Sequence, residues 1–173
     1  MAQATDSPRQ NINFDFGWKF HLGHININSI DTVTEWRNID VPHDFQIEEP
    51  WVVPGKNEKA DHSDAASNVK SRLSARGFKE MGEGWYRKSF TPSISLKGKR
   101  ILIDFEGIMY IGDVYVNGKL VGGTDYGYVG FECDISNELK YGEPNDIVVR
   151  ASTSGADNSR WYTGGGLFRD VHV

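Results

Sequence analysis

From Gly84 onward the chain alternates. Apolar residues recur at every second position in short runs, and turn-forming residues separate the runs. "WYRKSFT" reads as one strand. In "KRILIDFEG", Ile101, Ile103 and Phe105 fall on one side and Leu102, Asp104 and Glu106 on the other. "IGDVYVNGKLVGG" carries Val114 and Val116 into Asn117-Gly118 and leaves through Leu120 and Val121. Asn-Gly between two such runs predicts a tight hairpin, because both turn positions need positive φ. "YVGFECDI" supplies another strand. "NDIVVRAST" sets Ile147, Val149 and Ala151 against Val148, Arg150 and Ser152, and "LFRDVHV" closes the series.

The first half is less regular. Phe14, Phe16, Trp18 and Phe20 stand two apart, the period of a strand or an extended arm packing one face. "WRNIDVPHDFQIEEP" predicts a short strand over 36–41 and then a proline-marked turn. Residues 54–79 are polar, carry no strand pattern, and read as a long surface connection with room for one helical turn around 64–75. "SNELKYG" predicts another helical turn, with Ser136 as N-cap and Gly142 as stop. Eight or nine short strands with almost no helix imply an all-β fold of two packed antiparallel sheets. We expect a flexible segment over residues 1–12 and one domain over 13–173. The expected core is Trp18, Trp85, Phe90, Ile101, Ile103, Phe105, Val114, Val116, Phe131, Ile135, Leu139, Ile147, Val149 and Val171.

Composition narrows the function classes. Hydrophobic residues make up 38% of the 173 and aromatics 12%, enough to build a core and to argue against wholesale disorder. A net charge of -5 without a basic stripe argues against a nucleic-acid partner. No apolar run reaches the roughly 18 residues of a membrane span. The opening "MAQATDSPRQ" looks like an initiator Met joined to a polar mature N-terminus, which fits a periplasmic or secreted bacterial protein supplied without its leader; a cytoplasmic site fits as well. The single cysteine, Cys133, excludes an intrachain disulfide, and a buried, inert thiol is the expected state.

Candidate chemistry is sparse. Glu80 and Glu83 in "KEMGEGW" are the most tempting carboxylate pair, but a solvated turn before a strand accounts for them, so no catalytic dyad is assigned. His21 and His24 have a helical ligand spacing in a segment that is not helical, and no third ligand accompanies them; no metal or cofactor is expected. His43-Asp44 in "VPHDF" reads as a structural turn, with a place at a pocket edge as the alternative. "TGGGLF" precedes a strand and lacks a lysine, so it is no phosphate loop; its glycines suit a backbone passing close to another surface. "ADNSRWYTGGG" is the richest stretch. Trp161 and Tyr162 offer flat apolar faces, and Asp157, Asn158, Ser159 and Arg160 offer hydrogen-bonding groups, the combination by which sugars are held. A core Trp161 with Arg160 paired to a surface acid fits the same residues.

"SRWYTGGGLFRDV" resembles the motif that closes the first domain of glycoside hydrolase family 2, the β-galactosidase, β-glucuronidase and β-mannosidase group. "NFDFGWKFHLG", "VPHDFQIE" (with Phe45 where the family carries Trp), "GEGWYRKSF" and "FEGIMYIGDVYVNGKLVGGTDYGYVGFECDISNELKYGEPNDIVV" resemble further family segments in the same order, over residues 13–173. The resemblance implies a jelly-roll sandwich, like galactose-binding domains, at the N-terminus of a retaining β-glycosidase. An immunoglobulin-like domain and a (β/α)8 barrel would follow, and the barrel would carry both catalytic glutamates, so none is expected in this chain. It also implies that Asp157, Asn158 or Ser159, just before Arg160 and Trp161, would meet the hydroxyls of a β-linked saccharide, which this chain alone would bind weakly. An autonomous carbohydrate-binding module and a purely structural domain are the alternatives. Separation from such neighbours would leave apolar surface bare, with Phe45, Trp51 and Tyr162 the candidates.

Overall fold

The computed structural model describes residues 9–51, 79, 81–154 and 163–173. Among the described residues, nine strands form two antiparallel sheets. β1 (Trp18–Leu22), β2 (Arg37–Ile39), β3 (Glu83–Phe90), β5 (Ile111–Val116), β6 (Lys119–Thr124) and β8 (Asn145–Ser152) make a six-stranded sheet in the order β2-β1-β3-β8-β5-β6. β4 (Leu102–Phe105), β7 (Phe131–Asp134) and β9 (Val171–His172) make a second sheet in the order β7-β4-β9. One short helix, α1 (Phe45–Glu48), follows β2. The fold is the antiparallel two-sheet β-sandwich expected from the alternation, of the jelly-roll kind that the family resemblance implied.

The N-terminal arm extends the smaller sheet. Ile12 and Val173 exchange backbone hydrogen bonds at 2.8 and 2.9 Å, and the Phe14 N–H donates to the Val171 carbonyl at 2.8 Å. Buried Asp15 accepts the Val171 N–H at 2.7 Å. The first and last described segments therefore lie side by side.

The main core lies between the sheets. In β4 and β5 every second residue is buried, as the period of two requires. Ile103, Phe105, Val114, Val116, Ile147 and Val149 are each fully enclosed. Burying such a side chain contributes roughly 1.5–3 kcal/mol. Asn117 and Gly118 carry φ of 51° and 82°, the paired left-handed turn that their sequence predicted between β5 and β6.

Three expectations are corrected. Trp85 is buried, but on the opposite face of the large sheet. It joins Val148, Ile25 and Ile30 in a second apolar cluster, while its neighbour Tyr86 takes the inward position. β3 and β8 are central strands covered on both faces, so adjacent residues are buried and alternation alone does not say which faces the sandwich. Ser136 caps no helix. Residues 136–138 form a turn, and the Ser136 hydroxyl accepts the Ile101 N–H at 2.8 Å. The side chain of Asn145 satisfies the loop that follows, accepting from Lys140 N at 2.8 Å and donating to the carbonyls of Lys140 and Glu143 at 2.9 Å. With those backbone groups taken, helical pairing has nothing to gain there. Phe45, expected on an exposed docking face, is 1% exposed. Its ring stacks on Phe20 with centroids 6.0 Å apart and fills the space above Gly84. Trp51 is exposed as expected, at 68%; Tyr162 and the 64–75 segment lie outside the described residues.

Candidate functional site

The sequence-predicted pocket edge is built around α1. Asp44 caps the helix, its Oδ1 accepting the Gln46 N–H at 3.0 Å. The same oxygen accepts the Gly165 N–H at 2.8 Å. Two backbone bonds run alongside: Phe45 N–H to Gly165 O at 2.9 Å, and His43 N–H to Leu167 O at 2.7 Å. On its other side the glycine strap, Gly164 to Gly166, pairs with Met109, where Gly166 N–H to Met109 O and Met109 N–H to Gly166 O are both 2.8 Å. The strap is thus held from both flanks.

Close approach explains the glycines. A Cβ on Gly164 would lie 2.5 Å from Asp44 Oδ2, and one on Gly166 would meet the Tyr86 hydroxyl and lie 2.7 Å from the His43 carbonyl. Both residues also sit at positive φ, +76° and +120°. The expectation that the glycines let the backbone pass against another surface is met, and the surface is the 43–45 turn itself.

His43 is the centre of a polar network that the spacing of the sequence did not disclose. Its Nδ1 is hydrogen-bonded to the Tyr86 hydroxyl at 2.8 Å, and its Nε2 lies 3.2 Å from Arg37 Nη2 and 3.4 Å from Glu48 Oε1. Arg37 also pairs with Glu48 and covers the Phe20 ring at 4.8 Å. A guanidinium nitrogen only donates, so Nε2 accepts from it and the ring hydrogen sits on Nδ1, facing Tyr86. Burial lowers the His43 pKa, Arg37 adds to the effect, and together they outweigh Glu48 and Asp44. Burial likewise raises that of Tyr86, keeping the phenol protonated at neutral pH. Both groups are therefore neutral and act through hydrogen bonds and shape.

Beside this network an open cleft of about 490 Å³ is lined by Phe20, Trp36, Arg37, Phe45 and Glu48, with Glu35 and Glu49 adding further acidic groups to the lining. A lining that mixes aromatic rings with carboxylates and a guanidinium suits a polar ligand carrying hydroxyls.

Other candidates resolve into ordinary contacts. Glu83 binds Arg150, and His24 lies 2.9 Å from it. Burial alone would raise the Glu83 pKa, but hydrogen bonds from Arg150 and His24 outweigh it and hold the carboxyl below its usual value. A general acid needs the opposite shift. His21 Nδ1 contacts the Glu35 carbonyl at 3.0 Å. Glu106, Asp170 and His172 bring polar atoms within 4.8 Å of one another near the β4–β9 pairing, a grouping not read from the sequence. The Cys133 thiol is buried, which pushes its pKa up to about 11 and leaves it unreactive. Asp157, Asn158, Ser159, Arg160, Trp161 and Tyr162, the sequence-predicted sugar-binding residues, lie outside the described residues, as does Glu80. Among the described residues no helix is long and apolar enough to cross a membrane.

The model of the sugar-binding domain of glycosyl hydrolases family 2 matches residues 12–173. The chain is 33% identical to a β-galactosidase, BoGH2A, of Bacteroides ovatus over 98% of its own length and 18% of that protein's. It is 31% identical to a putative β-glucuronidase of Formosa agariphila, over all of this chain and 15% of the relative. Among solved structures, a family 2 member from Bacteroides cellulosilyticus superposes with a TM-score of 0.76 at 36% identity, covering 95% of this chain and 20% of that one. A β-glycosidase from Bacteroides vulgatus gives 0.74 at 34% identity, with the same coverage. The chain spans about a fifth or less of the length of these proteins. The match of that family model from residue 12 to residue 173 shows that the chain belongs to glycosyl hydrolases family 2, as the sugar-binding domain of that family.

Proposed function

We propose that the chain forms one wall of a saccharide pocket in a β-glycosidase of the β-galactosidase or β-glucuronidase type, and that the residues performing hydrolysis lie elsewhere in a longer polypeptide. The observation that carries the proposal is coverage: relatives named as β-galactosidases and β-glucuronidases match essentially all of this chain with only 15–18% of their own length. The electrostatics support it, since the most tempting carboxylate, Glu83, is engaged by Arg150 and has the wrong pKa shift for a proton donor. The residues we assign to the wall are Asp157, Asn158, Ser159, Arg160, Trp161 and Tyr162, read from the sequence, with His43 and Asp44 assigned to the pocket edge. Immunoglobulin-like and barrel domains are the partners this reading requires.

The test compares two polypeptides. The complete gene product should hydrolyse p-nitrophenyl β-galactoside or β-glucuronide, while the 173-residue chain should give no turnover above a matched purification control. Titrating the chain with galactose and glucuronate by NMR should show at best millimolar binding, because one wall buries little of a small polar ligand. Turnover by the chain alone would overturn the proposal, and micromolar affinity would favour an autonomous carbohydrate-binding module.

A further inference from the structure

We infer that the protein carries a second binding site, a basic groove between the 94–100 turn and the 134–143 loop that takes an acidic polysaccharide bearing a carboxylate on each sugar. The choice of a saccharide among polyanions rests on the functional reading above; the charge and shape of the groove do not.

The groove is open, measures about 810 Å³, and its lining includes Ile94, Lys97, Lys99, Arg100, Lys140 and Tyr141. It adjoins Asn145 at the start of β8, which holds Lys140. The glycine strap lies past the other end of that strand, where a Cβ on Gly165 would meet Thr153. The two sites are therefore separated by the length of β8.

On a chain of net charge -5, four cations in one groove are a local excess. Lys97, Lys99 and Lys140 are exposed, and their ammonium groups make no ion pair among the described residues. Two acids share the lining, Asp134 and Glu143. Asp134 is already engaged, accepting from Arg100 Nε and the Ser136 N–H at 3.1 Å and from the Ser136 hydroxyl at 2.6 Å. Three ammonium groups thus have one carboxylate, Glu143, to balance them. Arg100 keeps further N–H donors for a carboxylate from outside.

The walls are fixed in advance. Asn145 accepts from Lys140 N and donates to the carbonyls of Lys140 and Glu143. Gly142 N–H donates to the Pro92 carbonyl at 2.8 Å, and Lys99 N–H to that of Leu96 at 2.9 Å. Little ordering remains to be done on binding. The lining is also partly apolar. Ile94 is 68% exposed, and the half-buried Tyr141 ring is held by its hydroxyl donating to the Ser136 carbonyl at 3.0 Å. These surfaces suit the C–H face of a sugar ring while the lysines take its carboxylate. A simple polyanion would use the lysines alone.

The test measures direct binding to the complete gene product by isothermal calorimetry. Polygalacturonate is compared with its fully methyl-esterified form, which keeps the backbone and loses the charge, and with a single-stranded oligothymidylate. Polygalacturonate should bind at least about tenfold more tightly than either, and raising NaCl from about 50 to 200 mM should weaken it several-fold. Lys97→Ala combined with Lys140→Ala should weaken it about tenfold, with melting temperature and p-nitrophenyl glycoside hydrolysis unchanged. No binding by the wild type, equal binding of the esterified form, or an unaffected double variant would overturn the inference. Oligothymidylate binding as tight as polygalacturonate would reduce the groove to a general cationic patch and overturn it too. If the gene product hydrolyses neither glycoside, the functional reading fails, and the binding comparison still decides the groove.

Discussion

The ammonium of Lys88 donates to the carbonyls of Phe14 and Phe16, both at 2.7 Å, and rests 3.7 Å above the Phe14 ring. Through this one side chain, β3 fastens the N-terminal arm that completes the smaller sheet. Burial lowers the Lys88 pKa against the opposing pull of Asp15 and Asp40, which marks how far the cation has left solvent. Replacing Lys88 by Met should therefore cost about 1.5–3 kcal/mol, the range for hydrogen bonds to a charged group. A thermal melt monitored by circular dichroism would show it as a drop of several degrees. Exposed Lys97 provides the control, and an equal effect from Lys97→Met would refute the assignment.

Asn145 is nearly inaccessible and acts as both donor and acceptor. It accepts from Lys140 N and from Asn117 Nδ2 at 2.9 Å, and donates to the carbonyls of Lys140 and Glu143. Asn145→Asp keeps the shape but turns an anion toward two carbonyls. The expected loss is about 3 kcal/mol or more, larger than for the smaller Asn145→Ser. Chemical denaturation would rank the two variants, and the reverse order would show that packing rather than hydrogen bonding governs the site.

Folding lowers the His43 pKa from its ordinary 6.5, so below that value the unfolded chain binds more protons than the folded one. The stability associated with neutral His43 is complete above about pH 6.5. It falls as the pH drops toward the lower folded value. Urea midpoints measured between pH 7.5 and 5.5 should decline, and His43→Gln should flatten that slope. An unchanged slope would mean that other groups carry it. The same protein labelled with ¹⁵N should show the His43 hydrogen on Nδ1, the tautomer that Arg37 imposes.

Gly166 combines a φ of +120° with a side-chain position already occupied by the Tyr86 hydroxyl and the His43 carbonyl. Gly166→Ala should lose more than about 3 kcal/mol. Gly118, at φ +82° with open space around it, should lose only about 1 kcal/mol when changed to Ala. Equal losses in parallel melts would show that backbone conformation alone, without crowding, sets the cost.

Local pattern and tertiary structure contributed differently. The Asn117-Gly118 hairpin, the alternating burial of β4 and β5 and the two-sheet class were legible because each depends on neighbours one to four positions away. The pairing of the 43–45 turn with Gly165 was not legible. Sequence showed that three glycines should meet a surface, but not that Asp44 and Tyr86 supply it. Trp85 and Tyr86 looked alike as strand aromatics, and only the segment covering the outer face decided that Trp85 serves the second cluster. Ser136 carried a helix-capping signal that Asn145 overrode from the next strand. Periodicity records which residues avoid water; what covers them is set by contacts across the sandwich, and those form only when distant segments meet.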